Sequence, residues 1–229
     1  MHVDSVLIVA AHPDDEVLGC GGTIARLAAE GCAVYVAILG EGITSRFVRR
    51  EHAEQESVQA LRAQSRRVAE FLGARDLFVF DAPDNRFDTV PLLDIVKMLE
   101  SVVERISPQC VYTQHGGDLN IDHALTYRAT LTACRPVPGC PVRRVLAYEV
   151  GSSSEWAFSS FDPVFRPNVF MDVSATLARK IQALEMYGSE VRRFPHPRSP
   201  EAVRALARRW GSAAGLEAAE AFQLVRSTE

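Results

Sequence analysis

The apolar run Val6-Leu7-Ile8-Val9 stops at Ala10-Ala11-His12-Pro13-Asp14-Asp15-Glu16, so an imidazole and three carboxylates stand where a buried segment ends. A short, uninterrupted run rich in β-branched residues reads as a central strand of a parallel sheet. Ionisable groups at the edge of a core are costly unless they are paired or bound to a metal. A second cluster, Asp118-Leu119-Asn120-Ile121-Asp122-His123, follows the apolar segment 110–114. Together the clusters read as a split metal site: His and Asp from the first loop, His from the second.

Strand-like and helix-like segments alternate along the chain, which predicts an α/β fold with a mostly parallel sheet and helices on both faces. Strands are expected at 3–10, 33–39, 77–80, 110–114 and 145–150. Helices are expected at 23–30, 50–72 and 123–134. A further helix carries Leu92, Val96, Leu99, Val103 and Ile106 on one face, with Pro91 in its first turn. Beyond a polar and aromatic loop at 151–167, a strand is expected at 169–173 and helices at 175–187 and 200–210, the last capped by Ser199. No linker interrupts the 229 residues, so 1–229 is read as one domain, with 151–229 an irregular and helical extension on the same core. In the doubly wound strand order 3-2-1-4-5, strands one and four are neighbours. Their carboxyl ends then flank the switch point where ligands bind, and the two clusters meet there.

A net charge of −4, from 25 basic and 29 acidic residues, argues against a nucleic-acid binder held by bulk electrostatics and leaves open only a local basic patch. The five cysteines form no CxxC pair and read as reduced thiols of a cytoplasmic protein. No apolar run reaches membrane-spanning length, and the run after Asp4 is too short for a signal peptide. The sequence leaves a homo-oligomer open.

His12, Asp15 and His123 supply two imidazoles and one carboxylate with positions left open. That set suits catalytic Zn2+ and equally the facial triad of non-haem Fe2+, or another divalent ion. Asp14 is surplus to three ligands and can take a proton from water that the metal has made acidic. Asp122 is placed to hydrogen-bond a histidine and fix its tautomer, or to cap the helix that follows.

Ala11-His12-Pro13-Asp14-Asp15-Glu16, followed by Gly19-Cys20-Gly21-Gly22-Thr23, resembles the opening motif of the PIG-L/LmbE-like family of metal-dependent N-deacetylases. Asp118-Leu119-Asn120-Ile121-Asp122-His123 is similar to that family's second motif. Weaker likeness continues through Gly40-Glu41-Gly42-Ile43-Thr44-Ser45-Arg46, Pro83-Asp84-Asn85, Tyr148-Glu149-Val150 and Ala219-Glu220-Ala221-Phe222. The resemblance implies a Rossmann-like fold, zinc on His12, Asp15 and His123, and Asp14 as general base. It also implies an N-acetylglucosamine unit as substrate, joined to inositol, malate, an antibiotic core or another sugar. Many members carry His where this chain has Asn120, and that residue is taken to steady the oxyanion. An amide still donates a hydrogen bond but cannot serve as a cationic acid. Asp14 or His115 is then left to protonate the leaving amine.

Arg46, Asp84 and Asn85 follow strands two and three, and are expected to hold the substrate sugar; turn chemistry and a surface arginine are the plainer readings. Cys20 reads as a small residue packed in a glycine turn. Arg192, Arg193, Arg198, Arg204, Arg208 and Arg209 read as a solvated face. Trp156, Phe158 and Phe161 could wall a sugar pocket or anchor their own loop. A dinucleotide-binding oxidoreductase fits poorly, because Gly19, Gly21 and Gly22 come several residues after the strand. An iron oxygenase would be expected on a jelly roll, not on an alternating α/β pattern.

Overall fold

A computed structural model describes residues 3–229. In chain order its first half contains β1 (Ser5–Ala10), α1 (Asp15–Ala29), β2 (Ala33–Gly40), α2 (Gln55–Leu72), β3 (Asp76–Ala82) and α3 (Leu92–Ile106). Then follow β4 (Cys110–Gln114), α4 (Ile121–Ala133), β5 (Arg144–Tyr148), β6 (Val169–Asp172), α5 (Leu177–Met186), α6 (Pro200–Ala214) and β7 (Ala219–Ser227).

The strands form one sheet in the order β3-β2-β1-β4-β5-β7-β6. The first five are parallel, and β7 runs antiparallel to both β5 and β6. β1 is the middle one of the five parallel strands, paired with β2 through Ile8 and Val36 and with β4 through Ile8 and Tyr112. Its side chains alternate between two hydrophobic layers, as strand geometry demands. Val6, Ile8 and Ala10 pack with residues of α1, α2, α5 and α6. Leu7 and Val9 pack with residues of α3 and α4. The parallel 3-2-1-4-5 core is the one expected from the sequence, and it sets the ends of β1 and β4 side by side.

Two helix starts and one strand differ most from the sequence reading. Helix α1 begins at Asp15, not at residue 23, so the glycines expected in a turn lie inside it. They are there for close approach: a Cβ on Gly19 would run into the Tyr148 ring, and one on Gly22 would sit 2.7 Å from Val173 Cγ1. Helix α2 begins at Gln55, because 50–52 form a separate 3-10 turn in which Arg50 pairs with Glu41. Strand β7 has no counterpart among the expected elements. Ala219-Glu220-Ala221 has helical propensity, and pairing with β5 and β6 overrides it. The strand also delivers Glu220, whose carboxylate accepts from the Gly22 and Thr23 amides at 2.9 and 2.7 Å and from Lys180 Nζ at 2.6 Å. The C-terminal segments are thereby tied to α1 and the common sheet. Ser199 caps α6 through its Oγ, which accepts from the Ala202 amide. Among the described residues no helix is long and apolar enough to cross a membrane.

Candidate metal centre and its cavity

His12 follows β1, Asp15 opens α1, and His123 stands in the first turn of α4, just beyond β4. The topology brings all three together, with one possible ligand atom from each within 4.8 Å of the others. Asp15 Oδ2 lies 3.3 Å from His12 Nδ1 and 3.3 Å from His123 Nε2. The outward nitrogens are engaged elsewhere: His12 Nε2 lies 2.8 Å from Asp122 Oδ2, and His123 Nδ1 lies 3.0 Å from Asp118 Oδ2. Each ring thus donates to a carboxylate and turns its other nitrogen inward, the arrangement that prepares histidine for a metal. Asp15 is aligned by the His12 amide at 2.8 Å and by Gln114 Nε2 at 3.1 Å, both on Oδ2.

Several buried polar atoms at this place have no hydrogen-bond partner: His123 Nε2, Asp15 Oδ1 and Asp14 Oδ1. Unpaired buried groups cost free energy, and two nitrogens with a carboxylate oxygen are what a divalent cation needs. The local field agrees. Burial lowers the His123 pKa, but the Asp15 charge and bonds to Asp118 and Asp15 outweigh it and raise it to about 9. For His12, burial is likewise outweighed by its bonds to Asp122 and Asp15. The site therefore favours positive charge, and these residues fit a divalent ion. A second group, His12, Asp84 and Asp122, shares the outer face of His12.

Asp14 stands at the N-cap position of α1 with a left-handed backbone (φ 97°), a conformation that Asp tolerates better than most residues, and its side chain makes no capping hydrogen bond. It is buried, and Arg198 Nη1 lies 3.0 Å from its Oδ2. Burial raises its pKa to about 7, with the Arg198 charge pulling the other way.

A cavity of about 200 Å³ opens over His12 and Asp14. Its walls include Arg46, Asp84, Asn85, Asn120, Glu190 and Arg198. Asp84 Oδ2 accepts from the Ser45 amide at 3.0 Å, and its Oδ1 from Asn85 Nδ2 at 3.0 Å. Asn85 Oδ1 accepts from Asn120 Nδ2 at 2.8 Å. Asn120 also caps α4, its Oδ1 accepting from the Asp122 amide at 2.9 Å. Arg46 is held by Glu190 at 2.6 Å across the cavity.

Glu190 and Gln114 join the site without having been expected there, and Asp118 and Arg198 take roles the sequence did not give them. Arg198 does not belong to a solvated face, because its guanidinium reaches inward to Asp14. Glu190 and Gln114 had no local pattern to mark them; Asp118 was visible as the first residue of the second cluster. His115 lines a different cavity, with Glu149, Phe158, Phe161 and Trp210, so it is not placed as an acid for this one. Cys20 lies inside α1 and not in a turn, and burial pushes its thiol pKa up. The glycines of α1 abut Tyr148, Lys180 and Val173, which removes the pyrophosphate cradle of a dinucleotide site.

The family described as PIG-L, GlcNAc-PI de-N-acetylase, matches residues 7–134, from β1 to the end of α4. The deacetylase YaiS of Escherichia coli, itself described as uncharacterized, is 28% identical over 190 residues, covering 80% of this chain and 90% of that protein. A 4-oxalmesaconate hydratase of Pseudomonas putida is 32% identical over 197 residues, covering 81% of this chain and 74% of that protein. Among solved structures, the conserved protein TT1542 from Thermus thermophilus has a TM-score of 0.75 and 26% identity, over 100% of this chain and 97% of its own. The family match includes both loops that carry His12, Asp15 and His123, and this chain belongs to the PIG-L family.

Proposed function

We propose that the protein is a metal-dependent deacetylase, one domain in 1–229, that removes the N-acetyl group from an N-acetylglucosamine-type amino sugar or its conjugate. The observation that carries this reading is the inward-facing, unpartnered set of His123 Nε2, Asp15 Oδ1 and Asp14 Oδ1 beside a polar cavity. His12, Asp15 and His123 hold the ion, Zn2+ in the first instance, with Fe2+ or another divalent metal as the alternative. A bound divalent ion polarises an amide carbonyl and makes water acidic enough to be deprotonated near neutral pH. Asp14 Oδ1, free of other partners, accepts the proton of the attacking water. Asn120 Nδ2 uses one hydrogen on Asn85 and has its second to offer the developing oxyanion. Asp14 then returns its proton to the leaving amine, since His115 lines another cavity. Arg46, Asp84 and Asn85 hold the sugar in the cavity wall. The free cysteines suit a cytoplasmic enzyme acting on a small molecule.

The test is acetate release from a panel of N-acetylglucosamine conjugates by the zinc-loaded protein, repeated after chelation. Release that chelation abolishes is expected. No release from any conjugate would overturn the reading. A second reading, hydration of an unsaturated carboxylate, is favoured by the 32% identical hydratase and by Arg46, Arg192 and Arg198 in the cavity wall. Loss of the ultraviolet absorbance of 4-oxalmesaconate with no acetate from the panel would select it.

A further inference from the structure

Arg198 lies 184 residues after Asp14 in sequence, and Nη1 meets Asp14 Oδ2 at 3.0 Å. Its position is fixed from several sides. Nε donates to Ser152 Oγ at 3.1 Å, Glu190 Oε2 lies 4.0 Å from Nη1, and the backbone amide donates to His196 Nδ1 at 3.1 Å. The next residue, Ser199, caps α6, so the Arg198 backbone is anchored at the start of a helix. The Arg198 side chain is 21% exposed, against 1% for Asp14. The contact is one-sided: it occupies Oδ2 and leaves Oδ1, which is buried and without a partner. A carboxylate held by one oxygen cannot turn freely about its last bond, so the other oxygen keeps one direction.

We infer that Arg198 is a positioning residue that locks the Asp14 carboxylate by Oδ2, so that Oδ1 faces the proton it is to receive. This inference rests on the deacetylase reading. The loop 187–199 thereby belongs to the reactive machinery, although it comes from the part of the chain beyond the family match. Misplacing a reacting group by about 1 Å costs on the order of a hundredfold in rate. The effect of losing Arg198 falls on kcat and not on KM or metal content.

Wild-type acetate release is measured first, so that failure of the deacetylase reading, which would take this inference with it, is told apart from failure of the Arg198 assignment alone. Arg198→Ala and Arg198→Lys are then compared by kcat, KM, zinc content and thermal midpoint. In Arg198→Ala, kcat is expected to fall about ten- to a hundredfold, with one zinc retained and KM within about twofold of wild type. Arg198→Lys should recover part of kcat, and free guanidinium should raise kcat of the Ala variant, which a merely structural loss would not allow. If the Ala variant does not fold, the Lys variant is read by the same split against wild type. Unchanged kcat, a rise confined to KM, loss of zinc, or misfolding of both variants would each overturn the assignment.

Discussion

His12 Nε2 lies 2.8 Å from Asp122 Oδ2, and the same carboxylate accepts the Phe87 amide at 2.9 Å through Oδ1. Asp122 is therefore held by the backbone after β3 while it holds a ring after β1. The His12 proton is kept on Nε2, which leaves Nδ1 as the nitrogen facing Asp15. Asp122→Ala is expected to weaken metal affinity about ten- to a hundredfold, the usual worth of such a support. Competition with a zinc chelator measures it. Wild-type affinity would mean that packing alone orients His12.

Asn120 has two tasks that can be separated. Its Oδ1 caps α4, and its Nδ2 borders the cavity beside Asn85. Asn120→Asp keeps the cap and loses the donor. Turnover is expected to fall about a hundredfold, with the thermal midpoint within a few degrees of wild type. Asn120→Ala should lose both, with about 1 kcal/mol of stability as the cap's share. Equal turnover in the Asp variant and wild type would leave Asn120 as a cap only.

The parallel core was legible because strand-like runs such as Val6-Leu7-Ile8-Val9 alternate with helical segments, and the strand order is the one common to doubly wound sheets. The meeting of His12, Asp15 and His123 was legible for the same reason. The extent of α1 was not, because Gly19 and Gly22 look like turn residues until Tyr148 and Val173 are packed against them. Strand β7 was hidden by the helical propensity of Ala219-Glu220-Ala221, and its role appears only once Glu220 meets Lys180. Arg198 was illegible for a different reason. One arginine among several in a polar stretch carries no local signal, and only the fold brings it to Asp14.

Glu149 offers a pH test away from the candidate metal centre. Burial raises its pKa from 4.5 to about 7, against the hydrogen bond it accepts from Trp210 Nε1. The fold thus favours the protonated carboxyl. The associated stability is fully present below about pH 4.5 and is lost as pH rises through about 7. Glu149→Gln mimics the protonated form and removes this loss. The variant's thermal midpoint should match wild type at pH 4.5 and exceed it at pH 8, by the equivalent of roughly 1–3 kcal/mol. A gap that does not change with pH would show that Glu149 ionises in the fold as easily as in water.

Asp14 adjoins Asp15 but bonds Arg198 and leaves Oδ1 open, which is the geometry of a proton acceptor. Asp14→Asn keeps the shape, and its carbonyl can still accept from Arg198, but the basicity is gone. Turnover is expected to fall by about two to four powers of ten, the scale of a positioned base. Metal affinity should change little, because Asp14 is outside the set of His12, Asp15 and His123. The wild-type rate should decline as pH drops and Asp14, raised by burial, takes up a proton. In the Asn variant that acidic limb should shift or vanish. The measurements are kcat across pH and zinc content for both proteins. Near-normal turnover would show that Asp14 is not the base, and loss of zinc would make it a ligand in exchange with Asp15.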